Sequence, residues 1–388
     1  MRRTFKYRLY PSKGQLRLLN RSLNECRWVY NETLATRKAA WDFLQKNVSL
    51  FDCNALLPTW KKARPSLKGA FSQCLQDAQK RVDLAFQAFF RRVKAGEKPG
   101  YPRFRGRDRY DSIAYPQYEN GCRLEKNILV LSKIGSVPVV LHRPVEGEIK
   151  TATLTRSTTG KWFACFSCDN VQADTQSEAI EGSVGIDLGL QHFAYLSNGE
   201  HIKNPRFFKK GQDALARAQR RLEKADKGTE RRERRKRAVA HLHEKIVNRR
   251  RDFAHKLSRK LVNRFQNIFF EDLNIRGMLE ERKHSKSIGD AAWNQLVQFT
   301  TYKAEDAGRR VGLVDPRGTS QRCCRCGTVV RKDISVRVHA CTNPGCGFVA
   351  PRDHNSALEI ERLGLQSLDG VEAIRCPPRS HAALAAVE

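Results

Sequence analysis

A multidomain protein of mixed α/β and α+β class is what this sequence predicts, and three observations predict it. The chain has 388 residues, enough for two to three domains at about 150 residues each. Its pattern runs strand, helices, short strands in the first part, then short strands, long helices and strands in the second. Between the two, around DNVQADTQSEAIEG (169–182), the composition turns polar and reads as a linker.

In the first part, Phe5, Tyr7 and Leu9 alternate with Lys6, Arg8 and Tyr10, so residues 1–11 read as a strand that Pro11 stops. Residues 12–96 read as helical. Ser12 is a suitable N-cap, and Leu16, Leu19, Leu23 and Val29 or Tyr30 form a helical stripe. Leu75, Val82, Ala85, Phe86, Phe89, Phe90 and Val93 repeat that period, as a helix core does. GEKPGYPRFRG (96–106) is a loop. Its Arg103 and Arg105, interleaved with Tyr101 and Phe104, either contact a nucleic acid through phosphates and stacking or form a solvated basic loop. Residues 110–171 read as short strands. The first part is therefore a small β-barrel (1–11 and 97–175) with a helical insertion (12–96).

In the second part, SVGIDLGLQHFAYLSNGEHI (183–202) gives three short strands, with turns at Gly189 and Asn198-Gly199. A long helical region occupies 203–264. QNIFFEDL (266–273) reads as a buried strand, Trp293–Ala307 as a helix and VGLVDP (311–316) as a strand. A cysteine-rich insert covers about 318–350. The last helix runs from about His354 to Leu363, and 364–388 reads as a loosely ordered tail. No repeat at a solenoid period is present.

Charge narrows the partners. Lys and Arg number 72 against 41 Asp and Glu, a formal charge of +31 that favours polyanions. The segment 203–264 alone holds 23 Lys and Arg against 7 Asp and Glu, half of the surplus. Its densest run, ERRERRKR, contains Arg231, Arg232, Arg234 and Arg235; Arg249 and Arg250 follow. These helices lack the apolar companion face of a lipid-binding helix, which argues against a membrane surface. No apolar run approaches the roughly 20 residues of a spanning helix, and the opening MRRTFKYRLYPSKGQ has no apolar signal region. Twelve cysteines in such a chain suggest a reducing compartment, the cytoplasm beside the nucleoid, with metal binding as their first use.

Five cysteines fall between 323 and 346. Cys323 and Cys326 form a CxxCG knuckle; Cys341 and Cys346 form a longer C-x4-CG knuckle 14 residues on. Four thiolates in two tight turns suit tetrahedral Zn²⁺, and the glycine after each knuckle permits the backbone that closes such turns. Cys324 is the spare. The site so formed is closed and structural. Cys165 and Cys168 also have CxxC spacing, but residues three apart on a strand point to opposite faces, so they read as separate thiols. Cys26, Cys53, Cys74, Cys122 and Cys376 have no companions and suggest packing or free thiols.

Three carboxylates stand out. Asp187 lies inside the apolar strand VGIDLG, Glu271 ends the apolar run IFFE, and Asp353 lies at a helix start. A charge in such a strand costs several kcal/mol unless it is paired or bound to metal. Asp187 and Glu271 therefore suit either ion pairs with the abundant Arg or a metal centre, and Asp353 alone reads as an N-cap. Together, a trio from two strands and a helix end can hold two Mg²⁺ about 3.5–4 Å apart for phosphodiester hydrolysis.

Six segments, FKYRLYPSKGQ, GIDLGLQHFAYLSNG, LHEKIVNRRRDFAHKLSRKLV, IFFEDLNIRGM, DPRGTSQRCCRCG and PRDHNSALEI, follow one another as in TnpB. The chain resembles that family of transposon-encoded, RNA-guided nucleases, related to type V CRISPR effectors, over about residues 1–363. The resemblance implies an RNase H-like, RuvC-type nuclease domain (182–363) with a zinc ribbon inserted (318–350), and a wedge-like N-terminal barrel with a helical recognition insertion. It implies Asp187, Glu271 and Asp353 as the Mg²⁺-binding catalytic residues, and Cys323, Cys326, Cys341 and Cys346 as zinc ligands. It implies a guide RNA from the transposon end, a target DNA cut beside a short adjacent motif, and the Arg-rich helices as part of the duplex channel. Two positions depart from the family pattern: Pro351 replaces an acidic residue, and the second knuckle is longer. Competing readings are a nuclease-inactive, guide-dependent DNA-binding regulator and a transposase proper. The three carboxylates speak against the first. The absence of a nucleophilic Tyr beside a paired-His motif speaks against the second.

Overall fold

A computed structural model of the chain describes residues 2–172, 181–280, 285–333 and 335–369. The described residues divide into two compact units, one of residues 2–172 and one of the described residues from 181 to 369.

In the first unit, β1 (Arg3–Leu9) is followed by the 32-residue helix α1 (Lys13–Leu44), short helices α2 (Leu50–Ala55) and α3 (Leu57–Ala63), and α4 (Ser72–Lys94). Ser12 caps α1 as expected: its hydroxyl accepts from the Gln15 N–H while the Gln15 side chain accepts from the Ser12 N–H. Strands β2 (Ser112–Tyr115), β3 (Cys122–Glu125), β4 (Ile128–Leu131), β5 (Gly135–Val140), β6 (Glu148–Arg156) and β7 (Trp162–Asp169) complete the unit. They form a nearly closed antiparallel sheet in the order β2-β6-β7-β1-β5-β4-β3, with β2 and β3 as its edges. Tyr7, Leu9, Trp162 and Phe166 share one core with Leu19, Leu23, Val29 and Leu75, Val82 of the helices.

The aromatic stripe of α4 is core only as far as Phe86. Phe90 and Val93 are exposed, because the last turns leave the sheet behind; there Phe86, Phe89, Phe90 and the loop residue Tyr101 pack on one another. Cys168 is buried and Cys165 half-buried on β7, alternating as strand residues do. Cys26, Cys53, Cys74 and Cys122 are buried free thiols; Cys376 lies outside the described residues.

The second unit begins with β8 (Glu181–Asp187), β9 (His192–Leu196) and β10 (His201–Lys203), an antiparallel meander. The basic region is two helices, α5 (Phe207–Glu223) and α6 (Glu230–Arg264). Strand β11 (Phe265–Glu271) then pairs in parallel with β8. Two short helices that the periodicity did not announce, α7 (Ile275–Glu280) and α8 (Ser285–Ala291), precede α9 (Trp293–Asp306). Strand β12 (Arg310–Val314) adds in parallel to β11, giving the order β10-β9-β8-β11-β12. After the cysteine insert, with its small hairpin β13 (Val338–Ala340) and β14 (Val349–Pro351), comes α10 (Arg352–Asp369).

Alternation sorts the sheet's two faces. Val184, Ile186, Ile268 and Phe270 pack on Leu257, Leu261, Trp293 and Leu296 of α6 and α9. The intervening residues face α10, where Phe269 packs with Ile360. α10 continues past Leu363, the end expected from sequence, to Asp369. Its extra turn is anchored where Gly364 lies flat on the Phe269 ring, which any Cβ would meet at 2.2 Å. The first residues of the expected tail, 364–369, are therefore helix, and 370–388 lie outside the described residues.

Candidate functional site

Asp187 and Glu271 are the last residues of two parallel neighbouring strands. The register pairs Ile186 with Phe270, so the two carboxylates follow side by side. Both lie on the face that receives α10. The third carboxylate is brought there by one contact. A Cβ on Gly185 would stand 2.1 Å from the Ala357 carbonyl oxygen and 2.4 Å from the Glu361 nitrogen, so helix and strand meet backbone to backbone. From Gly185, Asp187 is two residues along the strand, about 6.6 Å. From Ala357, Asp353 is four residues back along the helix, about 6 Å and on the same face. Strand and helix thus carry their carboxylates to one end of the sheet.

All three residues are half-buried. Burial pushes the Asp187 carboxyl well above the ordinary carboxylate range; the charges of Glu271 and Asp353 push the same way, and Arg352 opposes them. Burial also raises Glu271, against a hydrogen bond donated by the Thr319 hydroxyl. Asp353 stands in the first turn of α10, two residues past the N-cap position, rather than at the N-cap that its sequence suggested. No Arg or Lys ion pair with Asp187 or Glu271 is seen among the described residues. A carboxyl raised by burial and by two neighbouring carboxylates needs a cation to be ionised beside them, and a divalent metal with oxygen ligands supplies one.

Sequence reasoning missed the residues that surround this trio. Tyr195 pairs with Asp187 across the sheet, and its ring lies 5.5 Å from that of His354. The His354 Nε2 lies 3.0 Å from the Ser197 carbonyl. Thr319 and Asn355 are both buried. They stand inside motifs already conspicuous in the sequence, GTSQRCCRC and DHNSA, but their partners are distant in the chain.

The four expected cysteines come together. The Sγ atoms of Cys323, Cys326, Cys341 and Cys346 all lie within 4.8 Å of one another, with Cys323–Cys346 at 3.8 Å and Cys326–Cys341 at 3.5 Å. Four thiolates at about 2.3 Å from one Zn²⁺ have edges of about 3.8 Å, so the donor set fits that ion. Gly327 and Gly347 take positive φ just after each knuckle, as their spacing implied, and the longer second knuckle closes as well. Hydrogen bonding with Thr328, from side chain and backbone, holds the Cys326 thiol down to about 6. Cys324 is outside the cluster.

The arginines divide. Arg103, Arg105, Arg231, Arg234 and Arg249 are exposed. Arg105 also lies over the Tyr30 ring at 5.8 Å. Arg232 donates to the Leu222 and Ala225 carbonyls, and Arg235 to the Arg221 carbonyl, closing the turn between α5 and α6. Arg250 is committed to Asp290, which also accepts from the first N–H groups of α5.

Three family profiles match the chain: a probable transposase family over residues 166–282, a Cas12f1-like TNB domain over 293–360 and a helix-turn-helix domain over 1–44. Within that last span, the described residues fold as β1 and a single unbroken α1 rather than as two helices about a turn. A Streptomyces pristinaespiralis protein named "Putative RNA-guided DNA endonuclease" is 35% identical, covering 97% of this chain and 92% of that protein. The Escherichia coli K12 protein "Putative RNA-guided DNA endonuclease InsQ" is 30% identical, covering 93% and 92%. Among solved structures, a Cas12f1 in complex with sgRNA and target DNA aligns with a TM-score of 0.55 at 13% identity, covering 93% of this chain and 98% of that one. That likeness concerns the fold.

Proposed function

The chain belongs to the TnpB family, and on that premise we propose that it is an RNA-guided DNA endonuclease that hydrolyses phosphodiesters at Asp187, Glu271 and Asp353. The observation that carries this reading is the convergence of the three carboxylates at one end of the sheet, set by the β8–β11 register and the close approach of α10 at Gly185. The order β10-β9-β8-β11-β12, antiparallel at β10-β9-β8 and parallel at β8-β11-β12, with a helix across one face, supports reading this domain as RNase H-like and RuvC-type. The seven-stranded sheet takes the part of the wedge, and residues 12–96 that of the recognition insertion.

Asp187, Glu271 and Asp353 are the residues that would hold Mg²⁺. When bound, Mg²⁺ supplies Lewis acidity toward a phosphodiester oxygen and an activated water. The chain's own residues do the rest. Thr319 fixes one oxygen of Glu271, so that the other is free to turn toward the centre. The strand ends and α10 hold the carboxylates on elements rather than on loops, which limits their motion. The four-cysteine cluster holds a structural zinc, since four thiolates leave no open position for water.

The exposed arginines, Arg103, Arg105, Arg231, Arg234 and Arg249, serve an RNA–DNA duplex through its backbone, with sequence choice left to base pairing. The guide is an RNA from the transposon end, and the protein reads a short motif beside the target. The test is to sequence the RNA that copurifies with the protein, then to supply it with matching DNA and Mg²⁺. Cutting that depends on the RNA supports the reading. Joined DNA ends in place of cut ones would favour a transposase, and guide-dependent binding without cutting would favour a regulator.

A further inference from the structure

The cysteine insert touches the carboxylate centre at three points, and these flank two of the three carboxylates. At its start, in the turn after Pro316, the buried Thr319 donates to Glu271. At its first knuckle, Asn355 of α10 spends both ends of its amide. Its Nδ2 donates to the Arg322 carbonyl at 2.8 Å, and its Oδ1 accepts from the Cys324 N–H at 3.1 Å. At its hairpin, Arg352 donates its own N–H to the Arg337 carbonyl at 2.8 Å and its guanidinium to Ser320 Oγ at 3.3 Å and the Asp333 carbonyl at 3.4 Å. Asp353 thus stands between two residues that the insert grips, one on each side. One turn on, the fully buried Glu359 faces Arg322 at 3.7 Å and so extends the same clasp.

Two features make this more than packing. Asn355 is fully buried, and an apolar residue of the same size would leave a carbonyl and an N–H of the knuckle without partners. Arg322 and Cys324 flank Cys323, one of the four clustered thiols, so the knuckle backbone that Asn355 reads is the backbone that metal binding shapes. A hydrogen bond to a metal-binding carboxylate fixes which oxygen is offered, and loss of such a partner typically costs about 10–100-fold in metal affinity.

We propose that the cysteine insert is the jig of the carboxylate centre: Thr319, Arg352 and Asn355 are positioning residues through which zinc in the four-cysteine cluster raises the affinity of Asp187, Glu271 and Asp353 for their own divalent metal. This rests on the nuclease reading above. By linkage, the coupling is reciprocal: metal at the carboxylates tightens the hold on zinc by the same factor.

The probe is Mn²⁺ alone, followed by its EPR signal, on the full chain without nucleic acid, with zinc content measured in every sample. Thr319→Val, close in size and lacking the hydroxyl, should weaken Mn²⁺ about tenfold with zinc unchanged, and Thr319→Ser should restore it. Asn355→Asp, which keeps the acceptor and loses the donor, gives a second reading, also about tenfold. Withdrawing zinc from the wild-type chain should weaken Mn²⁺ at least as much. Asp187→Ala should abolish binding. If Asp187→Ala loses Mn²⁺ while Thr319→Val, Asn355→Asp and the zinc-free chain bind it as the wild type does, the coupling is overturned and the nuclease centre stands. If Asp187→Ala binds Mn²⁺ normally, the centre itself is misassigned and the coupling falls with it.

Discussion

Gly185→Ala is the substitution that asks most of the geometry. The added methyl would stand 2.1 Å from the Ala357 carbonyl oxygen and 2.4 Å from the Glu361 nitrogen, and real contacts of this kind essentially never fall below 3.0 Å. Both obstacles are backbone, so no side chain can swing aside, and α10 has to retreat from β8 by about 1 Å. Alanine removes glycine's backbone entropy, a gain of about 0.5–1 kcal/mol. Overpacking costs about 1–3 kcal/mol, so the net effect on stability is a modest loss. The effect on chemistry is larger, because the retreat carries Asp353 away from Asp187, and a 1 Å misplacement can cost about 10²-fold in rate. The expected result is cleavage slowed about 100-fold, with guide and target binding near wild type and melting lowered by a few degrees. Gly182→Ala is the control: it lies in the same strand with nothing within 4 Å of its added Cβ. Measured side by side, equal cleavage by Gly185→Ala and the wild type would refute the claim that this contact sets the centre.

Further outcomes follow from the same structure. Asp187→Asn should reduce cleavage by about 10³-fold or more while target binding persists, as measured by cleavage and gel-shift in parallel. The same variant tests linkage. Asp187 has a folded pKa above the unfolded value of about 3.9, so its contribution is favourable below that value and is lost as pH rises through the folded pKa. The metal-free wild type should therefore lose stability with rising pH over that window. Asp187→Asn should flatten the slope and melt higher at neutral pH, by about 3 °C for each kcal/mol relieved. Metal analysis should give one zinc per chain; Cys341→Ser should lose it, whereas Cys324→Ser, outside the cluster, should keep it. Arg250→Ala should destabilise the fold by about 3 kcal/mol through the abandoned Asp290. Arg231→Ala or Arg234→Ala should leave melting unchanged and shallow the salt dependence of nucleic-acid binding by about one unit of log–log slope if each meets a phosphate.

Much of the fold was legible because its signals are local. Alternation at Phe5, Tyr7 and Leu9 marks β1, Ser12 marks the start of α1, and a CxxCG and a C-x4-CG knuckle mark the cysteine cluster. What escaped was set at a distance. Phe90 and Val93 keep the helical period of α4, but period does not say where the sheet beneath a helix ends. Arg250 looks like its exposed neighbour Arg249; only the placement of Asp290, forty residues on, separates them. Asp187 and Glu271 were visible as misfits in apolar strands, yet their convergence with Asp353 depends on register and on α10 reaching Gly185. Thr319 and Asn355 carried no signal of their own, since a polar residue inside a motif gives no hint of which distant backbone it will hold.

The central claim, that one carboxylate centre cuts DNA chosen by a bound RNA, is tested most directly by exchanging guides. Two complexes that differ only in the guide's targeting segment are offered two plasmids, each bearing one target beside a randomised flank, with Mg²⁺ and with Asp187→Ala complexes in parallel. Cleavage should follow the guide, select one short flanking motif, require Mg²⁺ and vanish in Asp187→Ala while binding remains. Cutting that ignores the guide, or that proceeds at full rate in Asp187→Ala, would contradict the account.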